Sequence, residues 1–282
     1  MPTPPPQAPA PRALLFALVA LVVGAPASAA AQVTAEVLRP NPLRPGWSGG
    51  LDVSLALARG NIELFDVGAA GRVQYQTLHP PRAAPGEEGG LPFFRHRAYL
   101  TANARFAERA ASAFINQGFL HARWTAMWHR RLGSDLFAQY QFNEFWRLRA
   151  RALVGAGLRA EIFHLPWFTM WAGSAYMLEY NRIDVLPGAR DRPETFEHRW
   201  TNYLAFRIAG PEGRVLLQST LYLQPRWDAF DDFRLLEEVE LVVKASDLFA
   251  LVGTLSVLHD NGPPTGVKPT DLRLATTVRL SF

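Results

Sequence analysis

The side chains best suited to chemistry in this sequence are His259-Asp260 and Asp231-Asp232. An imidazole base facing paired carboxylates could activate a water for peptide hydrolysis. Ser112, Ser174, Ser219 and Ser256 are candidate nucleophiles, but none has a His at a spacing that would set it alongside on one face. His121 and His129 share a face of one strand at a distance of ~26 Å along it, too far to hold one metal. No other His, Asp and Glu group has ligand spacing, and no Gly-rich phosphate loop follows a strand. The expectation is therefore no catalytic residue, no metal and no cofactor.

The elements that would position these residues follow from composition and periodicity. The chain has 282 residues, 49% hydrophobic, 12% aromatic and 19% charged, too apolar and ring-rich for a disordered chain. A mean hydropathy of -0.03 excludes a bundle of membrane helices. The absence of cysteine excludes a disulfide scaffold, thiolate metal sites and a lipidated N-terminal cysteine. Against 25 acidic residues stand 29 basic ones, a net charge of +4.

Residues 1–31 are expected to be a signal peptide. Arg12 precedes the apolar run Ala13–Gly24, and small residues from Ala25 to Ala31 suit a signal peptidase. Residues 32–46 are expected to be a periplasmic lead-in, and 47–282 a single domain.

Within that domain the dominant signal is alternation. Leu272, Leu274, Thr276, Val278, Leu280 and Phe282 occupy one face of the last segment, against Asp271, Arg273, Thr277, Arg279 and Ser281 on the other. Twelve such runs are predicted: 47–58, 63–77, 94–107, 117–131, 135–145, 149–163, 166–181, 196–209, 214–225, 233–245, 247–259 and 270–282. They exceed the five or six residues usual in soluble sheets and suit strands tilted across a bilayer. Tight turns at Gly133-Ser134, Pro166, Pro211–Gly213 and Ser246-Asp247 alternate with longer links at 109–116, 182–195, 226–232 and 260–269. Gly60-Asn61 is expected to be a tight hairpin at the loop end, and 79–92 a long insertion at the other. Trp47, Phe94, Trp128, Phe145, Trp146, Phe163 and Trp167 sit near strand ends, as interfacial rings do. The fold expected is all-β: a twelve-stranded antiparallel transmembrane β-barrel of the outer-membrane type, located in the cell outer membrane.

Alternation then assigns a lumen. Arg97, Arg105, Arg123, Arg131, Arg149 and Arg151 are expected to point inward, as are Arg159, Arg199, Arg207, Arg273 and Arg279. Glu161, Glu197, Glu238, Glu240 and Asp271 join them. A ring of guanidinium groups would favour anions in a pore, whereas arginines paired with carboxylates would plug it. With most cations inside and the rings outside, no nucleic acid is expected as a partner. The expected partners are outer-membrane lipid and, through Leu280 and the terminal Phe282, the outer-membrane assembly machinery.

Two stretches carry a family resemblance. Trp47-Ser48-Gly49-Gly50 with Leu51, Val53 and Leu55, then Gly60-Asn61, is one; Asp260–Gly266 with Lys268, Thr270-Asp271 and the last strand is the other. Together they resemble the salt-induced outer-membrane protein family (domain of unknown function 481). The resemblance implies location and shape and transfers no activity. The acidic pairs also resemble the arrangement of the omptin surface proteases, and the strand count that of the outer-membrane phospholipase. Three readings follow in order: a structural or stress-related barrel with a largely plugged, charged lumen, a narrow anion-favouring porin-like channel, and an outer-membrane hydrolase.

Overall fold

The computed structural model describes residues 45–58, 64–79, 93–109 and 112–281; at 56–58, 64, 109 and 112–115 it describes the backbone only. The signal peptide, nearly all of the lead-in, the Gly60-Asn61 hairpin, most of the 79–92 insertion and Phe282 lie outside the described residues. Twelve strands follow in chain order: β1 (Gly46–Ala58), β2 (Leu64–Leu78), β3 (Phe94–Arg109), β4 (Ser112–Met127), β5 (Leu132–Asn143), β6 (Leu148–His164), β7 (Phe168–Ile183), β8 (Glu194–Ala209), β9 (Val215–Pro225), β10 (Phe233–Lys244), β11 (Phe249–Asp260) and β12 (Thr270–Ser281). Each pairs antiparallel with its sequence neighbours, and β12 returns to β1 to close the barrel. At ~3.3 Å per residue and a tilt near 40°, the shortest strand still spans ~25–30 Å, the height of a bilayer's apolar core.

Residue alternation determines what each wall carries. The largest fully buried side chains include Arg199, Gln76, Gln117 and Glu179, all facing the interior. Forty large apolar side chains are exposed among the described residues, from Leu51, Val53 and Leu55 on β1 to Leu272, Leu274 and Val278 on β12. This is the reverse of a soluble sandwich, in which the apolar faces meet each other.

The strand ends differ in places from the sequence reading, each time for a local reason. The β4–β5 turn is Trp128–Arg131 rather than Gly133-Ser134. Gly133 already pairs with Met127, and a Cβ there would lie 2.4 Å from the Ala126 carbonyl oxygen. His129 and Arg131 therefore sit exposed in a turn, not on an inward face. The expected long link at 109–116 is short, because β3 and β4 pair as far as Arg109↔Ser112 across a bulge at Ala107/Glu108. Between β5 and β6, Asn143 Oδ1 accepts from the Phe145 and Trp146 amides (3.0 and 3.3 Å), and Arg147 adopts a left-handed conformation (φ 57°). That turn swings Trp146 into the barrel, where it is 7% exposed, so it is a core ring and not an interfacial one.

Loops are long at one end on one side of the barrel. Residues 184–193, 226–232 and 261–269 fold toward each other there. Asp191 accepts from the Thr265 amide and hydroxyl (3.0 and 3.1 Å), and Asn261 Oδ1 accepts from the Phe233 amide (2.8 Å).

Candidate functional site

The interior is the candidate site, and it divides into regions. Beneath the long loops, Glu179 on β7 is nearly fully buried, with three arginines around it: Arg234 at 2.5 Å, Arg151 at 3.4 Å and Arg199 at 3.8 Å. Asn181 donates to Glu179 (2.7 Å) and accepts from Arg151 Nε (2.6 Å). The remaining guanidinium groups reach outward to further carboxylates. Arg199 binds Glu197 (2.7 Å) and Asp232 (3.0 Å), and Arg234 binds Asp260 (2.7 Å). Buried charge is tolerated only when paired and hydrogen-bonded, and this cluster meets both conditions. Trp146 belongs to an apolar interior cluster with Leu148, Tyr203, Tyr222, Leu236 and Leu258, and its indole nitrogen donates to Asp271.

A second layer lies lower on the β4–β6 side. Asp135 accepts from Thr125 (2.5 Å) and Tyr203 (3.2 Å) and faces Arg159 at 3.7 Å. Arg123 stands over the rings of Phe137 and Tyr203 at 5.5 and 5.4 Å. On the opposite side, β1–β3 and β10–β12 carry a third group. Arg279 bridges Asp52 (3.0 Å) and Glu240 (2.5 Å), Arg72 binds Asp52 (3.3 Å), and Arg105 pairs with Asp66. Three interior cavities, of ≈190 Å³ at the loop end, ≈40 Å³ beside Asp135 and ≈110 Å³ beside Arg72, share no lining residue.

Most of the residues assigned to the lumen from sequence are on the inner face: Arg97, Arg105, Arg123, Arg151, Arg159, Arg199, Arg207, Arg273, Arg279, Glu197, Glu238 and Glu240. Arg149 is not. A bulge between Leu148 and Ala150 turns it outward, where it is 58% exposed and binds Asp184 (2.5 Å). Glu161 sits at the turn end of β6 beside His164 (3.1 Å). The sequence reading missed Asp52, Asp66, Asp135, Glu179, Arg72 and Arg234, four of them acidic. The signal was present: each acid sits beside outward apolar residues, as Asp52 does between Leu51 and Val53, and Glu179 between Leu178 and Tyr180.

The hydrolytic constellation is engaged elsewhere. Asp232 is held by Arg199 and Arg226, Asp260 by Arg234, and His259 by the Thr270 hydroxyl at 2.9 Å. Ser174 accepts from Trp200 on the outer wall (2.7 Å), while the nearby His198 bonds to Tyr176. No group of three or more potential metal ligands occurs among the described residues. In the β9–β10 loop, hydrogen bonds from Arg226 hold the Asp228 carboxyl below the usual carboxylate range, and Arg226 itself is raised by the same bonds.

Residues 93–282 match the family described as "Protein of unknown function, DUF481". The opening stretch Trp47–Asn61, which suggested this family in the sequence, precedes the match. No curated protein matches the chain. Among solved structures, the chain is similar to the NanC porin (7% identity, TM-score 0.41, 84% of this chain and 98% of that one). It is also similar to the translocator domain of autotransporter NalP from Neisseria meningitidis (11% identity, TM-score 0.41, 86% and 90%). A third is the KdgM porin in complex with disordered oligogalacturonate (10% identity, TM-score 0.38, 83% and 99%).

Proposed function

The chain belongs to the family described as protein of unknown function, DUF481, and from that premise we propose that it is a non-enzymatic β-barrel of the bacterial outer membrane, structural or stress-related, with a lumen closed by paired charges. The outer wall supports the location. Leaving even half of forty large apolar side chains in water would cost tens of kcal/mol at ~25 cal/mol per Å², well above the ~5–15 kcal/mol that holds a domain folded. Lipid removes that cost, and an export leader at residues 1–31 fits delivery to an outer membrane.

The observation that carries the closed lumen is the balance of charge inside it. Inward arginines counted alone suggest an anion-attracting ring. With Asp52, Asp66, Asp135 and Glu179 added, they form a mixed-charge packing in which carboxylate and guanidinium alternate through space. Such a packing leaves no single sign of potential for a permeating ion to follow. It also braces strands that are far apart in sequence, as Arg279 does in joining β12, β1 and β10.

Planar-bilayer recording tests the reading. The purified barrel should give no conductance steps at any voltage. Anion-selective steps that vanish on Arg151→Ala or Arg159→Ala would replace it with a narrow anion channel. Cleavage of a peptide or phospholipid by the folded protein, lost on His259→Ala, would replace it with a hydrolase.

A further inference from the structure

The barrel is not closed evenly. The β1–β2 ladder runs the full thirteen residues of β1, to Ala58↔Leu64, and the β11–β12 ladder reaches His259↔Thr270. The β1–β12 seam joins only Gly50↔Ser281 to Val53↔Val278. On the loop side of Val53, Ser54–Ala58 and Thr270–Thr277 face each other with no ladder pairing among the described residues. Both strand edges there lack a ladder partner, as does the loop-end half of β8 toward β9 apart from the Arg199↔Arg226 bridge, and an unpaired edge is a feature that proteins usually cover.

The ≈110 Å³ cavity lies directly behind this slot, with Ser54 on one side of the seam and Ala275 and Thr277 on the other forming part of its wall. Several polar atoms are left over in its wall, as others are elsewhere in the lumen, among them Gln117 Nε2 and Gln141 Nε2. Both ends of the Asn103 amide, Arg72 Nε and Arg105 Nη1 are buried without a hydrogen-bond partner. Buried polar groups are rarely left so, and each costs about 1–3 kcal/mol unless something fills its bond. The leftover set is three donors and one acceptor, with the carboxylates Glu238 and Glu240 in the same wall. Three convergent donors suit a phosphate ester; an acceptor beside carboxylates suits an ammonium. The cavity has room for several water-sized groups, the scale of a small headgroup. Outside the slot, Leu55, Leu272 and Leu274 are 70, 62 and 59% exposed, an apolar lining for chains that stay in the bilayer.

We propose that the slot between β1 and β12 admits a phospholipid from the bilayer, and that Arg72, Asn103 and Arg105 bind the phosphate of a zwitterionic, ethanolamine-type headgroup in the cavity behind it. This rests on the reading of the outer wall as lipid-facing. The site is lateral, so it is compatible with a lumen closed along its axis.

The test is phosphorus NMR on the full barrel in maltoside detergent, titrated separately with dihexanoyl-phosphatidylethanolamine, dihexanoyl-phosphatidylglycerol and free O-phosphoethanolamine. Saturable binding that favours the ethanolamine lipid and weakens about tenfold or more with Asn103→Leu supports the proposal. Equal binding of both lipids, unchanged by that variant, describes an unspecific lipid coat and overturns it. Binding of O-phosphoethanolamine without the lipid overturns lateral entry. Should Asn103→Leu not fold, Ser54→Cys with Thr277→Cys in this cysteine-free chain closes the slot. Lipid binding should vanish on oxidation and return on reduction, and binding indifferent to redox state contradicts the proposal. No binding by a barrel that still needs detergent overturns the site alone, whereas a chain that folds without detergent overturns the lipid-facing wall as well.

Discussion

Two asparagines on the inner wall face opposite situations. Asn181 lies in the cluster at the loop end, with its amide nitrogen on Glu179 and its oxygen on Arg151 Nε. Asn103 lies behind the β1–β12 seam, and neither end of its amide has a partner. The surroundings are alike in composition, arginines and carboxylates in a barrel interior, yet the Glu179 cluster leaves none of its fully buried side-chain atoms unmatched while the seam cavity leaves several. The two neighbourhoods differ in how the wall is built. β7 and β8 pair through fifteen residues, from Phe168↔Ile208 to Arg182↔Glu194, so the facing side chains are held at bonding distance. Asn103, on the fully paired β3, instead faces a cavity whose wall includes Ser54, Ala275 and Thr277 at the seam, where β1 and β12 pair through four residues. Asn181 is matched by charged groups within its own cluster, whereas Asn103 faces a cavity.

The comparison breaks first at Glu179. Glu179→Gln leaves Arg151, Arg199 and Arg234 buried around a neutral group, and urea unfolding in lipid should show a loss of about 3–5 kcal/mol. A loss under about 1 kcal/mol would mean that water already screens the cluster. Asn181→Leu removes two hydrogen bonds to charged groups and should cost about 2–3 kcal/mol, while Asn103→Leu, of nearly the same shape, should be neutral or slightly stabilising. Equal costs at the two positions would erase the distinction. At the seam side, Asp52→Asn leaves Arg279 its bond to Glu240 and should cost about 1–3 kcal/mol. Asp228 marks the smallest effect. Its carboxyl is depressed by Arg226, so its contribution is present above the unfolded value near 3.9 and fades as pH falls through the lower folded one. Because the pair is solvent-screened, Asp228→Asn should shift the unfolding midpoint little at neutral pH, and any difference from the wild type should begin to fade only below about pH 4.

The fold was largely legible in the sequence because period-two alternation is a local property: β12 can be read from Leu272 to Leu280 without knowing its neighbours. The site was half legible. Arg105, Arg199 and Arg279 follow from the same alternation, but Arg149 does not, since a one-residue bulge inverts facing and leaves no mark on composition. Glu179 and Asp52 were overlooked as single acids within apolar runs, although such isolation is the sign of an inward charge. Trp146 depended on the Asn143 cap and a left-handed Arg147, features of a turn rather than of a strand pattern. The short seam ladder lies beyond any reading of one strand at a time, because it is a relation between residues 54 and 277.

All of this presupposes a wall that meets hydrocarbon and an interior that does not, and tryptophan quenching in bilayers with brominated acyl chains tests it most directly. Trp124 is 44% exposed on the outer wall, and Trp146 is 7% exposed inside. Bromines should quench part of the wild-type emission, with the quenched part reduced by Trp124→Phe and untouched by Trp146→Phe. Quenching that follows Trp146 instead, or none in a chain that stays folded in plain buffer, would contradict the account.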